Sequence, residues 1–208
     1  MTETLQAPIP APDPEFEFPI VRDPAPMLEQ TIREWGGRSD LWVFGYASLI
    51  WRPDFDFSEK RIAKVHGWHR ALRMWSRINR GTPKQPGLVF ALLSGGSCHG
   101  VALRVPRSQG RAVLQTLWPR EMVTGVYDPK WLHCQTQNGP VRALAFTLSR
   151  QSANYTGELT ERNYRRIFAE ASGRYGSTLD YARQTLEGLR EHGIEDHALR
   201  QLLHRAAR

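Results

Sequence analysis

Leu41-Trp42-Val43-Phe44-Gly45-Tyr46-Ala47-Ser48-Leu49-Ile50-Trp51 is the stretch from which the rest of this chain is read. Leu41 to Phe44 has the length and apolar content of a buried strand, and the run then breaks into small residues at Gly45, Ala47 and Ser48. A strand ending in small residues exposes successive backbone N–H groups, and such a nest binds an anion such as a carboxylate without a charged side chain. An ordinary β-turn has the same appearance at this level. Ser48 lacks a Gly-x-Ser-x-Gly setting and no Asp/His pair is marked for it, which argues against a nucleophilic serine.

Beyond this stretch, short β-rich runs continue to Leu148: Arg61 to Val65, Ala71 to Trp75, Leu88 to Leu93, Val101 to Val105, Trp131 to Gln135 and Val141 to Leu148. Gly, Pro and Ser separate them. One helix is predicted among them, from Ser108 as N-cap to Trp118, with Pro119 closing it. The last third is helical: Glu161 to Ala171, a helix capped by Ser177 and Asp180 that ends near Gly193, and a final helix from about Asp196. Strands first and helices after favour an α+β fold, with a small mixed β-barrel or a strongly coiled sheet. Upstream, residues 1–26 hold seven of the fourteen prolines and read as an extended tail, on which Phe16, Phe18 and Ile20 are candidates to strap onto the body. A short amphipathic helix after Pro26 stops at Gly36 and Gly37. Residues 1–40 are thus expected to be a tail and helix, and 41–208 one catalytic domain.

The net charge of +7 is unevenly spread: residues 1–40 carry −5, so the remainder carries +12. Such a field serves nucleic acid or a small anionic substrate. The arginines are scattered singly, however, and form no block of five or more, so a solvated surface is favoured over a nucleic-acid module. No run of 18 or more apolar residues and no signal-peptide pattern occurs, so a cytoplasmic protein with no membrane partner is expected. Cys98 and Cys134 are the only cysteines and show no CxxC spacing, which signals neither a disulfide scaffold nor a zinc site. His66 and His69 form an HxxH pair, but beside a strand they do not present both rings to one ion, and adjacent Cys-His pairs point to opposite faces. No P-loop or dinucleotide fingerprint appears, and no cofactor is expected.

Two further segments carry candidate chemistry. Ser76 to Gly87 is polar and Gly/Pro-rich; it reads as a solvent loop, or as one in which Arg80 pairs a substrate carboxylate. In Leu117-Trp118-Pro119-Arg120-Glu121-Met122 a lone carboxylate lies between Trp118 and Met122 at a helix end, where apolar neighbours raise a pKa towards neutrality.

In order and spacing, VFGYASLIW (43–51), SRINRGTPKQPG (76–87), CHGVALRVP (98–106), LWPREMVTGVY (117–127) and NYTGEL (154–159) resemble the ChaC-type glutathione-specific γ-glutamylcyclotransferase family, over residues 41 to about 190. The resemblance implies a small mixed β-barrel flanked by helices and cleavage of glutathione to 5-oxoproline and Cys-Gly, without a metal or other cofactor. It places the catalytic glutamate on Glu121. It places substrate binding on Val43, Phe44, Gly45, Tyr46, Ala47, Ser48 and Leu49, with Arg80 and Tyr155. The family's turn usually reads Gly-Tyr-Gly-Ser-Leu, whereas Ala47 stands here at the second glycine; were positive φ required there, Ala would cost about 1–2 kcal/mol. Three other readings stand beside this one: the same reaction on another γ-glutamyl amine or dipeptide, a basic nucleic-acid-binding module, and a degenerate member of the fold acting as a binding protein, which Ala47 leaves open and the retained Glu121 argues against.

Overall fold

The computed structural model describes residues 21–206, so residues 1–20 of the tail expected over 1–26, with Phe16, Phe18 and Ile20, lie outside the described residues; residues 21–26 are not an extended tail, since Pro24 to Pro26 open a helix and Arg22 bonds the body. In chain order the elements are α1 (Pro24–Trp35), β1 (Leu41–Gly45), α2 (Ser48–Trp51), β2 (Glu59–Ser76), β3 (Gly87–Val105), α3 (Arg107–Glu121), β4 (Asp128–Thr136), β5 (Val141–Thr147), α4 (Glu161–Glu170), β6 (Ser172–Gly173), β7 (Gly176–Ser177), α5 (Thr178–Glu191) and α6 (His197–Ala206).

Strands β1 to β5 close a barrel in the order β1-β3-β2-β4-β5. The barrel is mixed: Val43↔Leu144 joins β1 to β5 in parallel and Leu92↔Thr147 joins β3 to β5 in parallel, while β1–β3, β2–β3, β2–β4 and β4–β5 are antiparallel. This is the α+β barrel expected from the sequence.

Two pairs of expected strands are single long ones. Arg61 to Val65 and Ala71 to Trp75 are both parts of β2, and Leu88 to Leu93 and Val101 to Val105 are both parts of β3. The glycines between them bend the pair instead of ending it. Gly67 (φ 78°) sits in the register shift between His66 and Trp68, facing Gly95 (φ 97°) and Gly96 (φ 71°) across the ladder. One ribbon therefore curves round most of the barrel.

Helix α3 also differs: it begins at Arg107 and runs through Pro119 to Glu121. Proline removes one intrahelical donor, but the Met122 N–H still reaches the Trp118 carbonyl at 2.8 Å, so the last turn closes. Glu121 is thereby held in a helical turn. Helix α1 starts three residues earlier than expected because Asp23 caps it, accepting from the Ala25 N–H at 2.9 Å, with Pro24 in the first turn.

The barrel shares two apolar clusters with the helices. In one, Phe44, Val65 and Phe90 meet Phe168, Tyr181, Leu189 and Leu199 of the C-terminal helices. In the other, Val43, Leu93 and Phe146 meet Leu114, Leu117, Trp118 and Met122, and Met27, Leu28, Ile32 and Trp35 of α1 pack against it. The site lies where α3, α5 and the end of β1 converge on the barrel.

Candidate active site

Val43, Phe44 and Gly45 are buried in β1 and lie outside the cavity lining, so they support the turn that follows and do not themselves line the cavity. At the end of the strand the chain packs closely on β3 and on the turn that follows: a Cβ on Gly100 would lie 2.3 Å from the Gly45 carbonyl oxygen, and one on Gly45 would lie 3.1 Å from Leu49 Cβ. Tyr46 turns inward and its hydroxyl donates to the Phe146 carbonyl at 2.9 Å. Ala47 has φ −144°, so this turn does not use the left-handed region and alanine is accommodated. Ser48 then begins α2, whose first N–H groups have no intrahelical acceptor and receive no side-chain cap from Ala47.

Glu121 comes to this turn from the end of α3. Tyr46, Ala47, Ser48, Leu49, Phe90, Glu121, Tyr127, Phe146 and Tyr181 line one cavity with about 270 Å³ of empty space, counted out to its open mouth. The Glu121 side chain is 15% exposed and its Oε1 lies 3.1 Å from Arg120 Nε. Burial raises the Glu121 pKa from its ordinary value, the charge of Asp54 adds to this, and Arg120 opposes it. Arg120 also ties the surroundings together, donating to the Pro53 carbonyl at 2.9 Å, Asp54 Oδ2 at 2.8 Å and Ser48 Oγ at 3.3 Å. The nearest cation is thus shared between two carboxylates, which leaves burial as the stronger influence on Glu121.

Three tyrosines dry the cavity. Burial pushes Tyr46, Tyr127 and Tyr181 above the ordinary phenol value, and the Glu121 charge adds to the shift in each. All three stay protonated at neutral pH. The Tyr127 hydroxyl donates to the Phe90 carbonyl at 3.0 Å, as Tyr46 does to Phe146, so two phenols fasten the strands that form the wall. Sequence reasoning missed Tyr127, Tyr181, Phe90 and Phe146. Of these, only Tyr127 stood in a quoted motif.

Arg80 is buried behind this wall, its guanidinium 4.7 Å from the Tyr181 ring centre and donating to the Tyr175 carbonyl. Burial lowers its pKa, and the charge of Arg52 adds to the lowering. It contacts a cavity residue but is not part of the lining. Tyr155 bridges Met74 on β2 and packs half-buried on the cluster containing Leu93 and Phe146, also outside the lining. A second, open groove of about 790 Å³ lies over β4, lined by His66, Trp131, His133 and Cys134 among others. No carboxylate lines it. His66 instead meets Gln135 at 3.1 Å, His69 meets the Gly95 carbonyl at 2.8 Å, and among the described residues no group of three or more His, Cys, Asp or Glu is placed to hold a metal ion.

The fold is thus a closed five-stranded barrel with a carboxylate and three phenols gathered around the turn after its first strand, an architecture shared with solved γ-glutamyl cyclotransferases. The crystal structure of the yeast γ-glutamyl cyclotransferase specific to glutathione superposes with a TM-score of 0.74 over 82% of this chain and 96% of that one, at 20% identity. The ChaC-like protein family model matches residues 41–208, and the chain belongs to that family. The glutathione-specific γ-glutamylcyclotransferase of Escherichia coli is 35% identical over 164 residues, covering 78% of this chain and 71% of its own. The human glutathione-specific γ-glutamylcyclotransferase 1 is 35% identical over 168 residues, covering 78% and 75%.

Proposed function

We propose that this protein is a glutathione-specific γ-glutamylcyclotransferase, a lyase that releases 5-oxoproline and Cys-Gly, with Glu121 as its general base and acid. The observation that carries the reading is the raised-pKa carboxylate of Glu121 facing the 46–49 turn across one small cavity, in a chain whose relatives bear that name. The reaction is an intramolecular aminolysis. The glutamyl α-amine attacks the γ-carbonyl carbon, a five-membered lactam closes, and the bond to the cysteinyl nitrogen breaks. No external nucleophile or water takes part.

Each demand of this reaction has a candidate in the chain. Glu121 takes a proton from the α-ammonium and returns one to the leaving cysteinyl amine; a carboxyl group with a raised pKa is better matched to both transfers than an ordinary one. The turn from Tyr46 to Leu49, backed by the buried strand residues Val43 to Gly45, holds the glutamyl end and offers N–H donors to the developing oxyanion. The apolar rings of Phe90, Phe146 and Tyr181 favour the folded glutamyl conformer by excluding water. Arg80, stacked on Tyr181, supports the wall from behind, and Tyr155 is assigned to the outer binding surface. The compartment proposed is the cytosol, in keeping with Cys98 and Cys134, which are free and buried.

The test is incubation with reduced glutathione, following 5-oxoproline and Cys-Gly together. Equimolar release, unaffected by EDTA, is expected, since the proton transfers need no metal. The α-linked isomer Glu-Cys-Gly cannot close the lactam on its scissile carbonyl and should be inert. Turnover of both isomers alike, or loss of activity in EDTA, overturns the reading.

A further inference from the structure

The family match starts at residue 41, yet residues 21–24 grip the site from both sides of Glu121. Upstream of it, Trp118, one helical turn away on α3, donates its Nε1–H to the Pro24 carbonyl at 2.7 Å. Downstream, the Val21 N–H donates to the Thr124 carbonyl at 2.8 Å. The Arg22 guanidinium then collects three consecutive carbonyls: Nε reaches Gly125 at 2.9 Å, and Nη2 reaches Val126 at 3.2 Å and Tyr127 at 2.8 Å. Its Nη1 meets Asp128 Oδ1 at 2.7 Å. The segment so held, Met122 to Tyr127, is the link between Glu121 and Tyr127, both of which line the cavity. The contact is shaped for this chain, because Gly125 has φ 65° and a Cβ there would lie 2.1 Å from the Arg22 carbonyl oxygen.

We infer that Arg22 is a positioning residue for the reaction: the segment ahead of the family's own domain is a strap that fixes the link from Glu121 to Tyr127 and so sets the placement of the proton-transferring carboxylate. The inference rests on the function proposed above. The exposed pair with Asp128 contributes little by itself, since half-exposed ion pairs are screened. The planar fork matters more, because it satisfies three neighbouring carbonyls in one fixed geometry that a lysine ammonium cannot reproduce. Without it the link relaxes outward, water reaches Glu121, and the carboxyl no longer stands as deep among Tyr46, Tyr127, Tyr181, Asp54 and Arg120, the titratable groups that act on it or that it acts on.

The experiment uses the full chain and compares Arg22→Gln, Arg22→Lys and Asp23→Ala, the last losing only the α1 cap. Arg22→Gln should lower kcat about tenfold at nearly constant KM and move the acidic limb of the kcat profile to lower pH, as Glu121 approaches an ordinary carboxylate. Arg22→Lys should restore little. Asp23→Ala, a control for general loosening of the N-terminal segment, should leave the limb where it is. The inference is overturned if Arg22→Gln keeps kcat within twofold, if Arg22→Lys restores parental kcat, or if Asp23→Ala shifts the limb equally. If Arg22→Gln does not fold, Arg22→Lys decides alone by its kcat and limb. A parent chain inert towards glutathione fails the functional reading itself, and the inference with it.

Discussion

Replacing Glu121 with glutamine should separate catalysis from stability in opposite directions. Glutamine keeps the size and hydrogen-bonding shape of the side chain but accepts no ammonium proton at neutral pH. General acid–base catalysis contributes about 10²–10⁴-fold, roughly 3–5 kcal/mol, and a residue used in both transfers belongs at the upper end. Stability moves the other way. Because burial raises the folded-state pKa of Glu121 above its unfolded value, its contribution is full below the ordinary value of 4.5 and is lost as pH rises through the folded pKa. The neutral amide has no such loss. Glu121→Gln should therefore match the parent's melting temperature in acid and exceed it at neutral pH, while single-turnover release of 5-oxoproline collapses and glutathione still binds. A glutamate that merely ended a helix would affect stability by about 0.3–1 kcal/mol and rate hardly at all. A folded variant keeping more than about a tenth of parental turnover, a loss under 1.4 kcal/mol, removes Glu121 from the mechanism.

Arg120→Gln removes the charge that opposes the upward shift of Glu121, so the acidic limb of kcat/KM should move to higher pH; an unmoved limb would show that Arg120 does not act on the carboxylate. Ala47→Gly should leave turnover within about tenfold, or 1.4 kcal/mol, because φ −144° carries no left-handed strain for glycine to relieve; a larger gain in a steady-state assay would contradict this. Gly100→Ala should destabilise by roughly 1–3 kcal/mol through its 2.3 Å approach to the Gly45 carbonyl, seen as a lower midpoint in urea; an unchanged midpoint would show that β1 and β3 can part there at no cost.

Much of this was legible in the sequence because the signals were local. The first strand and its turn, the cap at Ser177, the start of the last helix near Asp196, and the carboxylate between Trp118 and Met122 can all be read from a few adjacent residues. What was not legible depends on distant chain segments. Gly67, Gly95 and Gly96 look like turn residues until the two halves of each long strand are seen to share one partner. Pro119 looks like a stop, yet the bond from Met122 to Trp118 carries the helix past it. Tyr181 lies on an amphipathic helix face and Phe90 and Phe146 on apolar strands, so their pattern predicts burial and is silent about a cavity. Arg22 gave no signal at all, since its three acceptors are backbone carbonyls about a hundred residues away, and a carbonyl leaves no mark on the residue type.

The same distinction explains why the helical C-terminal third matters to a turn that it does not line in full. Arg70 on β2 donates from Nη1 to the Tyr46 carbonyl at 2.8 Å and the His99 carbonyl at 3.0 Å, joining the turn to β3. Its Nε meets Asp196 Oδ2 at 3.0 Å, while Asp196 Oδ1 accepts the Leu199 N–H at 2.9 Å and so caps α6. The Arg70 side chain is 5% exposed, and loss of one partner from a buried pair costs about 3–5 kcal/mol, because the other is left charged and unmatched. The carbonyl of Tyr46 is therefore fixed by a charge that the start of α6 neutralises. α5 adds to the cavity wall through Tyr181, and α3 brings Glu121 to the same cavity. A reaction in which the substrate supplies its own nucleophile asks the protein for placement more than for reactive groups. One carboxylate therefore suffices, and much of the polar structure nearby serves to hold backbone still.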